Sequence, residues 1–243
     1  MKRSHNILYI QIFIAISLAL NVMFWFSVRD VRAKWGNVPP APDIKYASSM
    51  GLGDTSFAYR SNGIIIQNLG DTGGRVTPLK EYDYEDLTSW FFLQDELDSE
   101  SNYIPYLAAY YFSAVQEPKK FYPVLEYLKE IGSRPGEGRW RWLAQAVYIS
   151  RFLIKDTQKA AELADVLVQT APDDVPAWVN QMPVFILKAQ GKKEEAYALM
   201  LEILKSNVDS MHPNEVNAAR AYICDQILSE EQKKSDPICQ EPY

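Results

Sequence analysis

The sequence predicts an all-α chain: one transmembrane helix, then an α-solenoid of about four helical hairpins closed by a capping helix. Three observations predict it. A run of 22 residues without charge opens the chain, the stretch that begins at Trp142 repeats from Trp178, 36 residues on, and turn signals separate helical patterns with no credible strand run between them.

The opening run, "ILYIQIFIAISLALNVMFWFSV", covers residues 7–28. As a helix it is about 33 Å long, which matches a bilayer core of roughly 30 Å. A cleaved signal peptide and a buried core helix are the competing readings. A signal peptide has a shorter apolar core and a small-residue cleavage site, and "FWFSVRDVRAKW" offers none. An uncleaved anchor is therefore expected, with Phe24, Trp25 and Phe26 in the aromatic belt. Lys2 and Arg3 nearly balance Arg29, Arg32 and Lys34 less Asp30, so the positive-inside rule barely chooses an orientation. A short basic tail, residues 1–6, is expected on the cytoplasmic side, which sends the bulk of the chain to the non-cytoplasmic, periplasmic side. Pro39, Pro40 and Pro42 then mark residues 29–53 as a semi-rigid linker.

Composition narrows the functions. The 243 residues carry a net charge of −6, but the first 40 hold +4, which leaves −10 on the remainder. So acidic a body repels phosphate backbones, which argues against nucleic acid as a partner. Two histidines and two cysteines are too few for a His- or Cys-rich zinc site. Cys224 falls in the helical pattern "AYICDQIL" and Cys239 in a Pro-bearing tail, residues 229–243. A disulfide between them would close a loop of about 15 residues and contribute roughly 3 kcal/mol. It needs an oxidising compartment; two free thiols, one buried and one exposed, are the alternative.

The repeat fills residues 54–228. An ungapped shift of 36 aligns Trp142 with Trp178, Gln145 with Gln181 and Ala160 with Ala196. Ala160, Leu163, Ala164, Leu167 and Val168 form one amphipathic stripe, and Ala196, Leu199, Met200, Ile203 and Leu204 repeat it. Val124, Tyr127, Leu128 and Ile131 fit one step earlier, and Leu87, Trp90, Phe91 and Leu97 fit loosely before that. Residues 213–228 read as the cap.

These units resemble the tetratricopeptide repeat (TPR) family. In the last full unit Trp178, Phe185, Gly191, Ala196 and Met200 are similar to its tryptophan, aromatic, turn glycine, small and large positions, and Pro172 stands where the family closes a unit. The departures are a period of 36 where the family has 34, glutamine at 145 and 181 where it has leucine, and Pro183, which should kink its helix. Sel1-like and pentatricopeptide repeats have a similar period, but the first needs a small-residue pattern that is missing and the second binds RNA. The resemblance implies a right-handed solenoid whose first helices line a groove for a peptide or protein. Carried over, that groove comprises Trp140, Leu143, Val147 and Arg151, then Val179, Ile186 and Leu187. Gln145 and Gln181 join them, because a buried amide must find hydrogen bonds in a ladder or in a partner's backbone. Most of these side chains would serve equally as core.

"GDTGGR" at residues 70–75 lacks the ending of a P-loop and reads as an interhelix loop. Glu81, Asp83, Glu85 and Asp86 sit at a predicted helix start, where acids favour the dipole. No catalytic constellation is evident, and neither a cofactor nor a small-molecule substrate is expected. The expected role is a membrane-anchored scaffold or assembly factor for other membrane or envelope proteins. A permanent subunit of a larger membrane machine, or an envelope-polymer enzyme using Glu85 and Asp86, are the alternatives.

Overall fold

The computed structural model describes residues 2–29, 38–72, 75–207 and 211–240. Two compact units emerge, residues 1–36 and 37–243.

The first unit is a single helix, α1 (Lys2–Val28). Its segment Tyr9–Val28 has a mean hydropathy of 1.9 and no buried residue, so it is long and apolar enough to cross a membrane. At its end the Arg29 guanidinium lies 4.9 Å from the Phe26 ring centre. Arg32 and Lys34, which enter the orientation reading, lie outside the described residues.

The second unit is helical except for a two-residue antiparallel ladder, Asp71–Thr72 with Arg75–Val76, inside the "GDTGGR" loop. It opens with α2 (Ile44–Met50), α3 (Thr55–Gln67) and α4 (Tyr84–Leu97). Next come α5 (Tyr103–Tyr106), prolonged by a π-helical segment Leu107–Tyr111, and α6 (Tyr122–Gly132). The third pair is α7 (Trp140–Tyr148), prolonged by a π-helical segment Ile149–Ile154, with α8 (Thr157–Thr170). The fourth is α9 (Ala177–Asn180) and α10 (Met182–Ala189) with α11 (Lys193–Asn207). Last are α12 (Pro213–Tyr222), with a π-helical segment Ile223–Ile227, and α13 (Glu230–Ser235).

Local chemistry sets these boundaries. Asp43, Asp54, Asp83 and Asp156 cap α2, α3, α4 and α8 with carboxylates that accept from backbone N–H groups of the first turn. Asp83 takes the N–H of Glu85 and of Asp86, which accounts for the acidic run as a helix start. His212 and Ser229 close capping boxes on α12 and α13. Pro183 does more than kink its helix. It has no N–H to offer the carbonyl four residues back, so the helix breaks into α9 and α10 with Gln181 between them.

Packing follows chain order. Helix α3 packs on α4, α4 on α6, α6 on α7, α7 on α8, α8 on α10, and α10 on α11, which meets the π-helical end of α12. One core runs from Val38 to Ile186, and a second gathers Val184, Ala196, Met200, Ile223 and Cys224, so α10 buries residues in both. Side-chain bonds tie each hairpin to its neighbour about one repeat away. Tyr103 Oη donates to Gln67 at 2.6 Å, Tyr122 Oη to Asp156 at 2.5 Å, Gln190 to the Thr157 carbonyl at 3.0 Å and Tyr197 Oη to Asp236 at 2.6 Å.

The body extends beyond residues 54–228 at both ends. Within the expected linker, Val38 and Ala47 are fully buried, and Trp90 Nε1 donates to the Pro39 carbonyl at 2.7 Å. Residues 30–37 of that linker lie outside the described residues. The expected tail forms α13 and packs on the last hairpin through the Cys224–Cys239 disulfide, whose Cα atoms are 5.8 Å apart. The last three residues, 241–243, also lie outside the described residues.

Candidate interaction surface

The positions carried over from the repeat divide by burial. Leu143, Val147 and Val179 have no exposed surface and Ile186 has 1%, so these four are core. Trp140 is buried too, and its ring meets that of Trp178 edge-on at 5.6 Å. Gln181 is buried at the break before α10, whereas Gln145 is half-buried beside a groove, so the repeated glutamines occupy different environments. Arg151 and Leu187 are half-buried.

The two repeated tryptophans act alike in one respect. Trp142 Nε1 donates to Asn102 Oδ1 at 3.0 Å, at the start of α5, and Trp178 meets Trp140 edge-on at the start of α7. Each therefore reaches back to the beginning of the preceding unit's first helix.

Exposed aromatic rings form a second pattern that the carried-over positions omit. On α5 and its π-helical extension Tyr106 and Tyr110 are 55% and 51% exposed, and on α7 and its extension Tyr148 and Phe152 are 49% and 51% exposed. Each pair stands one turn apart, with ring centres 5.0 Å and 4.8 Å from one another. The two pairs are 42 residues apart in sequence, not 36, because Tyr106 stands three residues past the start of α5 and Tyr148 eight past the start of α7. A sequence search for aromatic i,i+4 pairs would have found them; a search locked on 36 does not. Counting past Tyr148 also fails, because a π-helical turn takes more residues than an α turn and rotates the positions that follow.

Between these pairs lies a groove of about 380 Å³, lined among others by Tyr110, Ser113, Gln145, Tyr148 and Leu153. Its lining combines apolar Ala109, Ile149 and Leu153 with the phenol, hydroxyl and amide groups of the others. The Arg151 guanidinium sits 4.6 Å over the Phe152 ring. Its charge also opposes the upward shift of the Tyr222 phenol, which burial raises above the ordinary tyrosine value. Tyr222 itself meets Phe185 edge-on at 4.8 Å, and both rings are half-buried. Aromatic rings offer a partner a large apolar area at low entropic cost, and phenol and amide groups can serve its backbone.

No protein-family model, curated protein or solved structure matches the chain.

The other polar constellation faces inward. Asp95 of α4 and Arg139 are each 7% exposed, 3.9 Å apart, and Arg134 pairs with the same carboxylate and with Glu130 at 2.8 Å. Burial pushes the neighbouring Tyr127 phenol well up, and the Asp95 charge adds to it. This cluster fastens the first hairpin to the loop between α6 and α7. A second ion network, Lys129 and Lys159 with Glu126 and Glu162, joins α6 to α8 on the outside. The hydrogen bond from Lys129, then that from Lys159, holds the Glu162 carboxyl below the usual range. His212 spends its Nδ1 as the cap of α12, accepting from Asn214 N–H at 3.2 Å.

Proposed function

We propose that the chain is a membrane-anchored scaffold or assembly factor that holds another membrane or envelope protein on the exposed aromatic face of its first helices. The body is read as a right-handed solenoid of TPR-like hairpins, a reading supported by hairpins that pack in chain order and bond to one another about one repeat apart. The observation that carries the function is the recurrence of paired, half-exposed rings on two consecutive first helices, flanking a groove. A core needs no such rings in water, whereas interfaces are enriched in tyrosine and aromatic anchors. The apolar α1 supports the anchor, and anchoring confines the groove to the membrane surface and raises its effective concentration towards membrane partners. The Cys224–Cys239 pair supports a non-cytoplasmic location, where disulfides persist.

The test is site-specific photocrosslinking in membranes from cells that express the full chain. A photoreactive side chain replacing Tyr148 should give a discrete adduct with another protein, and one replacing Glu202 on the exposed side of α11 should not. The same adducts from both positions, or none from position 148, would defeat the reading.

A further inference from the structure

Leu52 is 95% exposed, the most exposed large apolar side chain among the described residues, and its backbone is left-handed with φ of 55°. Both features cost free energy: a leucine is strained in that region, and its side chain gains nothing in water. The loop that holds it is firmly built. Ser48 and Ser49 carbonyls accept from the N–H groups of Gly51, Leu52 and Gly53 at 2.9 to 3.0 Å, and Asp54 N–H donates to Gly51 at 2.9 Å. Gly51 packs so closely that a Cβ there would lie 2.6 Å from the Asp54 carbonyl oxygen and 2.9 Å from Ala58. Leu52 is thus fixed at the apex of the corner between α2 and α3.

Further apolar side chains are exposed on the two helices that this corner joins. Tyr46 and Met50, one turn apart on α2, are 61% and 57% exposed, and Phe57 in the first turn of α3 is 54% exposed. Lys45 and Arg60 are exposed on the same two helices, while the nearby acids Asp43 and Asp54 accept from backbone N–H groups as caps. Exposed apolar side chains at a helix corner with exposed basic residues on the flanking helices are the pattern of a segment that dips into the lipid headgroup layer.

We propose that this corner docks on the bilayer surface, with Leu52, Met50 and Phe57 entering the boundary between headgroups and acyl chains. The proposal rests on the reading of α1 as a membrane anchor. What selects a lipid surface over a protein is the covalent tether. Only residues 30–37 separate Arg29 from Val38, and so short a segment spans at most about 30 Å when fully extended. With α1 in the bilayer, residues 38–57 cannot travel far from the membrane, so an apolar tip there meets lipid before any diffusing partner.

The test uses the full chain, reconstituted in vesicles of phosphatidylethanolamine and phosphatidylglycerol. Because both native cysteines are disulfide-bonded, Leu52→Cys gives a single site for a nitroxide, with Met50→Cys as an independent second site. Collision with oxygen, which partitions into lipid, is compared with collision with a water-soluble nickel chelate. Oxygen should dominate several-fold at positions 52 and 50 and at Leu18→Cys within α1, and nickel should dominate at Glu202→Cys. If nickel dominates at 52 and 50 while oxygen dominates at 18, the anchor stands and the docking does not. Shielding from both reagents at 52 and 50 would mean a protein contact, with a second copy or another partner, and would also overturn the proposal. Nickel dominance at 18 would remove the anchor and the docking together.

Discussion

Gly132 ends α6 where that helix presses on α7, and replacing it with alanine asks two effects to compete. An added Cβ would lie 2.5 Å from the Leu143 nitrogen, 2.7 Å from its Cβ and 3.0 Å from its Cα. Two of those atoms are backbone, so no rotamer change relieves the clash and α7 must withdraw by ~1 Å. Withdrawal opens gaps around Leu143, Ile131 and Leu128, all fully buried. Overpacking of this kind costs about 1–3 kcal/mol, and a shift forced on backbone belongs at the upper end. Against it stands the gain from replacing glycine in a helix, at most about 1 kcal/mol and less at the last residue. The clash wins, and Gly132→Ala should lose about 2 kcal/mol. For a body of this size that lowers Tm by roughly 4–8 °C. Circular dichroism melts of the full chain in detergent, wild type beside variant, measure it. A variant as stable as the wild type would refute the close α6–α7 contact.

Other consequences follow from the same packing. Reducing the Cys224–Cys239 bond, or replacing both cysteines with serine, frees a 15-residue loop and should cost about 3 kcal/mol, seen as an earlier denaturant midpoint for the last hairpin. Unchanged stability would place α13 outside the cooperative unit. Asp156 has its carboxyl held below the usual value, first by the Lys159 N–H and then by the Tyr122 hydroxyl. A lowered native pKa means stability that is present above the unfolded value near 3.9 and lost as pH falls through the native value, so acid titration of stability should show this loss. Asp156→Asn keeps a capping side chain and should remove only the acid-dependent part, whereas Asp156→Ala should cost about 1 kcal/mol or more at neutral pH. Equal melts for the two at neutral pH would contradict the cap. The hydrogen bond to Asp236 and burial push the Tyr197 phenol up to about 12. Spectrophotometric titration should find that tyrosine among the last to ionise, and Asp236→Asn should bring it down.

Much of this architecture is written in spacing. Helices α5, α7, α9 and α12 start at residues 103, 140, 177 and 213, steps of 37, 37 and 36 that lie close to the 36-residue spacing of the sequence. In the apolar stripe Ala160, Leu163, Ala164 and Leu167 are fully buried but Val168 is 39% exposed, and in its repeat Ala196, Met200 and Leu204 are buried while Leu199 and Ile203 are half-buried. The long apolar helix α1 was legible because length and lack of charge need no context, and the cysteine pairing because a helix and a tail with one thiol each leave few other uses. Val38, Ala47 and α13 were not legible as parts of the body. Proline-bearing and polar stretches look alike whether they pack or hang free, and only tertiary contacts such as Trp90 with Pro39 and Tyr197 with Asp236 decide. The groove positions were the least legible. A family template assumes uninterrupted α-helices, and here Pro183 breaks one first helix while π-helical segments turn three others. Leu143, Val147 and Val179 precede those interruptions and are core all the same, so the template misplaces the groove even within regular α-helical turns. The rings at 106, 110, 148 and 152 fall on the open side.

The central claim is that those rings hold a protein partner. The most direct measurement quantifies, after crosslinking in membranes and detergent purification, the partner recovered with the full chain and with a Tyr110→Ala/Tyr148→Ala/Phe152→Ala variant. Half-exposed rings contribute little to the core, so the variant should melt near the wild-type temperature and recover the partner at least tenfold less, about 1.4 kcal/mol or more of binding. Equal recovery from a variant that melts like the wild type would contradict the account.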